Sequence, residues 1–225
     1  MCEPAALGEN VQNFSEQITR IGRLFDPEFQ LIVDDAKLSR EDIRRMQGNI
    51  CIRLSHMNVY LGVDYSLFLS HPWNYLTVAK SSFILRIHSQ KNEPLIRWDY
   101  VREPRSKDIP CSHIQIHAHR DAWTHAMLDG GASLRAQKRK TLEGRTPPVS
   151  ELHIPLGSKR FRPCLEDVLL FLINEFGAQC QSGTEVILKK NLTEWEKIQA
   201  CAVVREHTSE AITVLEQMGW TVQRA

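Results

Sequence analysis

Apolar residues in the first quarter of the chain recur at helical spacing. One group predicts an amphipathic helix that ends before Pro27, since proline disfavours a helical residue directly ahead of it. Its apolar members are Val11, Phe14, Ile18, Ile21 and Phe25. A second helix is predicted to begin at Ser39, a residue type that caps helices. Its buried stripe would be Ile43, Met46, Ile50 and Leu54. We therefore expect residues 1–56 to form a helical N-terminal segment.

From about residue 57 the pattern changes from helical spacing to alternation of apolar and polar residues. Alternating runs predict strands over about residues 82–88, 95–101, 111–120 and 152–156. Polar or proline-containing turns separate the first three runs. An antiparallel meander of about four strands is therefore the simplest arrangement.

A strongly apolar helix is predicted after these strands. Pro163 suits a first helical turn, residues 165–176 are apolar on nearly every side, and Gly177 is a natural end. A helix that is apolar all round is normally buried. We expect this helix to pack on the sheet as its core partner.

Helical spacing returns near the C-terminus. After a short strand predicted over residues 184–188, a capping box at Thr193 starts a helix, and Thr208 starts the last one. The predicted fold class is α+β, with a small antiparallel sheet of about four strands packed on a core helix and with helical N-terminal and C-terminal extensions. The expected organisation is a core domain over residues 57–192 and a C-terminal helical segment over residues 193–225.

The strand predicted over residues 111–120 carries the strongest functional signal. Alternation puts His113, Gln115 and His117 on one side, and His119 continues the series. His153 lies in the next predicted strand, where it can share the same cleft. We predict that His113, His117, His119 and His153 are catalytic, because imidazole can accept and donate a proton near neutral pH.

Two other interpretations of these histidines stay open. Imidazoles two residues apart on a strand can converge on one ion, so His117 and His119 could hold a divalent metal with a third ligand. The rings could equally be structural or simply exposed to solvent. The acid–base interpretation needs no cofactor, whereas the alternative needs the divalent metal.

A basic stretch adjoins the histidines. Residues 135–162 contain eight Lys or Arg residues and two Glu residues, which would attract phosphate groups. Arg160 and Arg162 precede the predicted start of a helix, a place that favours anions. We predict that Arg160 and Arg162 bind substrate phosphate and stabilise the charge that develops during phosphodiester cleavage.

Composition limits the classes of function. The chain of 225 residues is long enough for one large domain or two small ones, and its net charge of +1 requires that any attraction to nucleic acid be local. Six cysteines without a CxxC pair indicate reduced thiols and a cytoplasmic location. We expect no membrane association, because the longest apolar run, residues 168–173, is too short to cross a bilayer and no signal peptide is visible.

Four motifs, taken together in their order, resemble the TumE-type toxins of bacterial toxin–antitoxin pairs. The motifs are Phe83-Ile-Leu-Arg-Ile-His88, Leu95-Ile-Arg-Trp-Asp-Tyr100, Ser112-His-Ile-Gln-Ile-His117 and Arg162-Pro-Cys-Leu-Glu-Asp-Val-Leu-Leu-Phe171. The resemblance covers about residues 82–176, and the chain departs from the family in its N-terminal third, its basic insertion and its two extra C-terminal helices. It implies a small α+β module that acts on RNA, with site residues matching at Trp98, Asp99, His113 and His117.

Three functions follow from these observations as hypotheses. The first is a toxin-like protein that acts on nucleic acid, as a ribonuclease or another phosphodiesterase with histidine acid–base chemistry. Trp98 and Asp99 would then contact substrate beside Arg160 and Arg162. The second is a non-enzymatic module that binds a protein partner such as an antitoxin. The third is a metal hydrolase with histidine ligands.

Overall fold

In the part of the chain that the structure describes, seven antiparallel strands form one sheet in which each strand pairs with the next along the chain. The strands are β1 (Ile32–Asp34), β2 (Arg44–Arg53), β3 (Asn58–Ser70), β4 (Tyr75–Ile87), β5 (Pro94–Val101), β6 (Ser112–Ile116) and β7 (Ile154–Pro155). The two longest, β3 and β4, pair along nearly their whole length. The connections are therefore those of a simple meander, with β1 and β7 at the two ends.

A computed structural model of the chain describes residues 4–34, 43–70, 75–87, 94–106, 108–118, 148–151, 153–156 and 162–223. The chain divides into two compact units, residues 1–182 and residues 183–225. Among the described residues, the first unit contains the sheet and the helices α1 (Pro4–Gly22) and α2 (Leu165–Phe176). The second contains α3 (Thr184–Glu206) and α4 (Thr208–Gln217). Within the described ranges, no helix combines the length and the hydropathy needed to span a membrane.

One face of the sheet is apolar and carries the core of the first unit. The Phe14 ring of α1 meets Tyr65 of β3 edge to face, with ring centroids 5.1 Å apart. The Phe171 ring of α2 meets Trp98 of β5 in the same way at 5.6 Å. Leu169 on α2 is completely buried. We call this side, which carries Tyr65 and Trp98, the apolar face.

The other side of the sheet, the polar face, is defined by Ser82, Asp99, His113 and Gln115. Register places Ser82, Asp99 and His113 side by side on β4, β5 and β6. Because neighbours along a strand point to opposite sides, Asp99 faces away from Trp98 and from the helices that pack there. Strand alternation thus separates the histidines from the hydrophobic core.

The predicted number of strands was wrong, although the α+β class is confirmed. The sheet has seven strands rather than about four, because β1, β2 and β3 add to the four expected. Residues 44–53 form β2 instead of part of the helix predicted from Ser39. Met46 and Ile50 are four residues apart, which fits one helical turn and also two periods of a strand, and pairing with β3 selects the strand.

The C-terminal elements also differ from the prediction. Residues 184–188 form the first turns of α3 rather than a strand, and Thr193 lies inside that helix instead of capping a new one. A short apolar run is compatible with either type of element, so periodicity could not decide between them. The last helix begins at Thr208 as predicted.

Other predicted elements are confirmed. The N-terminal helix is α1, the strand pair is β4 and β5, and the histidine strand is β6. The core helix is α2, and Gly177 caps it in the left-handed conformation with φ of 63°. Glycine adopts this conformation without the steric cost that a side chain would add.

A buried carboxyl group marks the N-terminus of α2. Glu166 is 5% exposed, and burial raises its pKa above the ordinary value of 4.5, against a smaller lowering by the nearby Arg162. The folded state therefore holds the proton more tightly than the unfolded state. As pH rises from the unfolded pKa through the folded one, the Glu166 contribution to stability must fall.

Replacing Glu166 by glutamine should remove this decrease in stability with rising pH. We expect Glu166→Gln to be more stable than the wild type at neutral pH and to lose this advantage below about pH 4, where the carboxyl group is protonated in both states. Urea denaturation at a series of pH values measures the difference. Glu175→Gln, at an exposed position on the same helix, is the control and should show no such trend. A Glu166→Gln variant with the wild-type pH dependence would contradict the expectation.

Candidate functional site

Two imidazoles meet on the polar face. The ring centroids of His113 and His153 are 4.6 Å apart, and the ring planes are tilted by 44°. His113 lies on β6 opposite Pro155 of β7, and His153 directly precedes β7. The pairing of β6 with β7 therefore joins two residues that lie far apart in the chain.

The tautomer of His113 follows from its hydrogen bond. Its Nδ1 lies 2.9 Å from the carbonyl oxygen of Pro110. A carbonyl oxygen can only accept, so Nδ1 carries the proton and donates it. In the neutral ring, Nε2 then has the free lone pair, and no described residue forms a hydrogen bond with that nitrogen. This is the arrangement that a general base requires.

His153 is held in the same tautomer. Its Nδ1 donates to the carbonyl oxygen of Glu151 at 3.2 Å, and its Nε2 accepts from Nε2 of Gln115 at 3.3 Å. Gln115 also donates to the carbonyl oxygen of Ser150 at 2.8 Å. The Gln115 amide therefore connects β6 to the 3-10 turn over Val149–Glu151 and fixes the position of His153 beside His113.

A buried carboxylate lies next to His113 across the ladder. Asp99 is 6% exposed, and both of its oxygens have partners. Oδ1 accepts from the Ser82 hydroxyl at 2.5 Å, and Oδ2 pairs with Nη2 of Arg97 at 3.0 Å. The carboxylate compensates the charge of Arg97 and fixes its position on the polar face.

Two of the predicted substrate-binding residues lie on the apolar face instead. Trp98 is buried against Phe171 of α2. The Arg162 guanidinium stands 5.5 Å from the centre of the Tyr100 ring, and Tyr100 alternates with Asp99 along β5. The structure therefore does not bring Trp98 or Arg162 together with His113 and His153, whereas Asp99 does share their side of the sheet.

The other predicted site residues follow the end of β6 or lie outside the described residues. The backbone N–H of His117 donates to the Leu95 carbonyl oxygen at 2.9 Å, which continues the β5–β6 ladder by one residue. His119 and Arg160 are outside the described residues. The metal alternative depends on His119, and in the described part of the chain no group of three or more His, Cys, Asp or Glu residues could hold a metal ion.

The sequence prediction did not select Gln115 or Arg97 as site residues. Both lie on the polar face as a cross-strand pair, beside the pair formed by Asp99 and His113. The signal was present, because alternation along β6 puts Gln115 between His113 and His117, and alternation along β5 puts Arg97 with Asp99.

This arrangement can perform proton transfer. Two imidazoles in contact are each oriented by a backbone carbonyl, and one of them, His113, is only 5% exposed. His113 offers a proton acceptor at Nε2, and His153 becomes a proton donor when its Nε2 is protonated. An arginine on the same face supplies positive charge.

Comparison with known proteins adds no relative: no family model, no curated protein and no solved structure matches this chain.

Proposed function

We propose that this chain cleaves RNA by proton transfer on the polar face, with His113 as the general base and His153 as the general acid. The observation that carries the proposal is the contact of the two imidazoles at 4.6 Å, with Nδ1 of each ring facing a backbone carbonyl. Helices α1 and α2 pack on the opposite side of the sheet, so they do not cover the pair.

The chemistry follows from the two roles. Nε2 of His113 removes the proton from a ribose 2′-hydroxyl, and the resulting oxyanion attacks the adjacent phosphorus. The bond from phosphorus to the 5′-oxygen breaks, and that oxygen takes the Nε2 proton of His153, which acts as the imidazolium after its hydrogen bond from Gln115 has opened. The products are a cyclic 2′,3′-phosphate and a free 5′-hydroxyl, and a second proton exchange with water restores both rings.

The resemblance to TumE-type toxins supports the same substrate class and suggests a protein antitoxin as the natural partner. The β5 and β6 motifs that carry the resemblance are also the strands that carry Asp99 and His113. The described cysteines are all free thiols, in keeping with a cytoplasmic toxin.

A pair of matched substrates tests the proposal. We expect the purified chain to cleave an RNA oligonucleotide and to leave intact the same oligonucleotide with deoxyribose at the cleaved position, because the attacking hydroxyl is then missing. Mass spectrometry should find the cyclic phosphate on the upstream product. A chelator should not change the rate, and abolition of cleavage by chelation would instead favour the metal hydrolase. Equal cleavage of both oligonucleotides would refute the mechanism.

A second candidate function, binding of a protein partner, is favoured by the surface of the C-terminal unit. Eight of the thirteen large apolar residues that are exposed in the described part of the chain lie in residues 183–225. They are Val186, Ile187, Ile198, Val204, Val214, Leu215, Met218 and Trp220. Exposed apolar residues at this density are typical of interaction surfaces. RNA left intact under every condition would favour this function alone.

A further inference from the structure

Two arginines lie on the polar face, one on β4 and one on β5, and β5 is the strand next to the histidine strand β6. Arg97 on β5 is opposite Ile84 of β4, and Arg86 follows two residues after Ile84 on the same side of that strand. The β4–β5 ladder has a register irregularity at Arg86, directly beside this place. Arg97 in turn pairs across the ladder with Gln115, which contacts His153.

Arg97 has a carboxylate partner in Asp99, whereas no described residue forms an ion pair with Arg86. Arg97 shares the Asp99 carboxylate with Ser82, and its Nε is buried with no hydrogen-bond partner in the described part of the chain. Burial and the charge of Arg97 together lower the pKa of Arg86, so the two guanidiniums repel each other. Like charges held together at a partly buried place are costly unless an anion lies between them.

Gly62 on β3 leaves space for the Arg86 side chain, because glycine has no Cβ atom. A Cβ atom at Gly62 of β3 would lie only 3.0 Å from Nη1 of Arg86 and 3.3 Å from Oδ1 of Asn49. Alanine at this position would therefore require the Arg86 guanidinium to move by a few tenths of an ångström. The other arginine, Arg97, is accessible to solvent, because its side chain is 36% exposed.

We propose that Arg86 and Arg97 form a phosphate-binding subsite on the polar face. A guanidinium presents a planar fork of N–H groups that matches two phosphate oxygens, and two such groups suit one dianionic or bridging phosphate. The subsite rests on the proposed function and extends it, since it would hold another phosphate of the same substrate. The source is either an RNA backbone phosphate or the terminal phosphate of a nucleotide.

Binding to an uncleavable ligand tests the subsite separately from catalysis. A fluorescently labelled all-deoxyribose oligonucleotide is titrated with full-length protein at low salt, and anisotropy gives the dissociation constant. We expect Arg86→Gln and Arg97→Gln each to weaken binding tenfold or more. The slope of log affinity against log salt should become shallower by about 0.7 for each phosphate that the variant no longer neutralises. Arg20→Gln, at an exposed position on α1, is the control and should bind as the wild type does.

Gly62→Ala provides a second, uncharged perturbation. It keeps both arginines and displaces the Arg86 guanidinium, so binding should weaken while the secondary structure seen by circular dichroism is retained. His56→Ala, at an exposed position in the turn between β2 and β3, should bind like the wild type. Competition by a nucleoside diphosphate would identify terminal phosphates as the source, and competition only by oligonucleotides would identify the backbone. Wild-type affinity in Arg86→Gln, Arg97→Gln and Gly62→Ala would overturn the subsite, whether or not RNA is cleaved.

Discussion

Replacing His113 by alanine should lower the rate of RNA cleavage by about 10²–10⁴-fold, the usual contribution of a positioned acid–base group. The reason is that Nε2 of His113 is the nitrogen whose lone pair is left free when Nδ1 donates to the Pro110 carbonyl. Initial rates on a labelled oligonucleotide at saturating concentration measure the loss. Because the ring makes no predicted contact with the phosphates, KM should change much less than kcat.

Two further variants separate catalysis from folding. His113→Asn retains a side-chain donor that can face Pro110, yet it has no nitrogen able to take a proton at neutral pH, so its activity should be as low as that of the alanine variant. His56→Ala removes an exposed imidazole from the turn between β2 and β3 and should leave the rate unchanged. Full activity in a folded His113→Asn protein would show that the imidazole has a structural role.

Leu169→Ala should lower the free energy of unfolding by about 2–5 kcal/mol. Leu169 is completely buried on α2, so the substitution removes apolar contacts and leaves a cavity that the sheet cannot close. Urea denaturation followed by tryptophan fluorescence measures the change, since Trp98 packs against the same helix.

The neighbouring position supplies the control for this prediction. Leu170 is only half-buried, so Leu170→Ala should cost clearly less than Leu169→Ala. Cleavage per folded molecule should be retained in both variants, because α2 contacts the apolar face and the histidines lie on the other side. A decrease of less than about half a kcal/mol for Leu169→Ala would contradict the burial of this residue.

The apolar face and the polar face of the sheet therefore have different roles. The apolar face holds α1 and α2 through Tyr65 and Trp98. The polar face carries a hydrogen-bonded series from Ser82 through Asp99 to Arg97, next to the imidazole pair. Successive side chains along a strand point to opposite faces of the sheet. Substitutions on one face can therefore change stability, and substitutions on the other can change the proposed chemistry.

Several features of the chain could be predicted from the sequence because they depend on local periodicity. Alternation along β6 identified the shared side of His113, Gln115 and His117, and the apolar run ending at Gly177 identified α2. These signals are strong where the spacing of apolar residues fits a helix and not a strand, or a strand and not a helix. They failed over residues 44–53, where Met46 and Ile50 satisfy both periods, and over residues 184–188, where the run is too short.

The tertiary structure alone decided which distant residues meet. The contact of His113 with His153 depends on the pairing of β6 with β7, and the choice of Arg97 rather than Arg162 as the cation of the polar face depends on strand register and on the side that α2 covers. Hydrophobic patterning assigns a residue to a face of its own strand. It does not say which strands are neighbours or in what register, because those depend on the packing of the whole sheet.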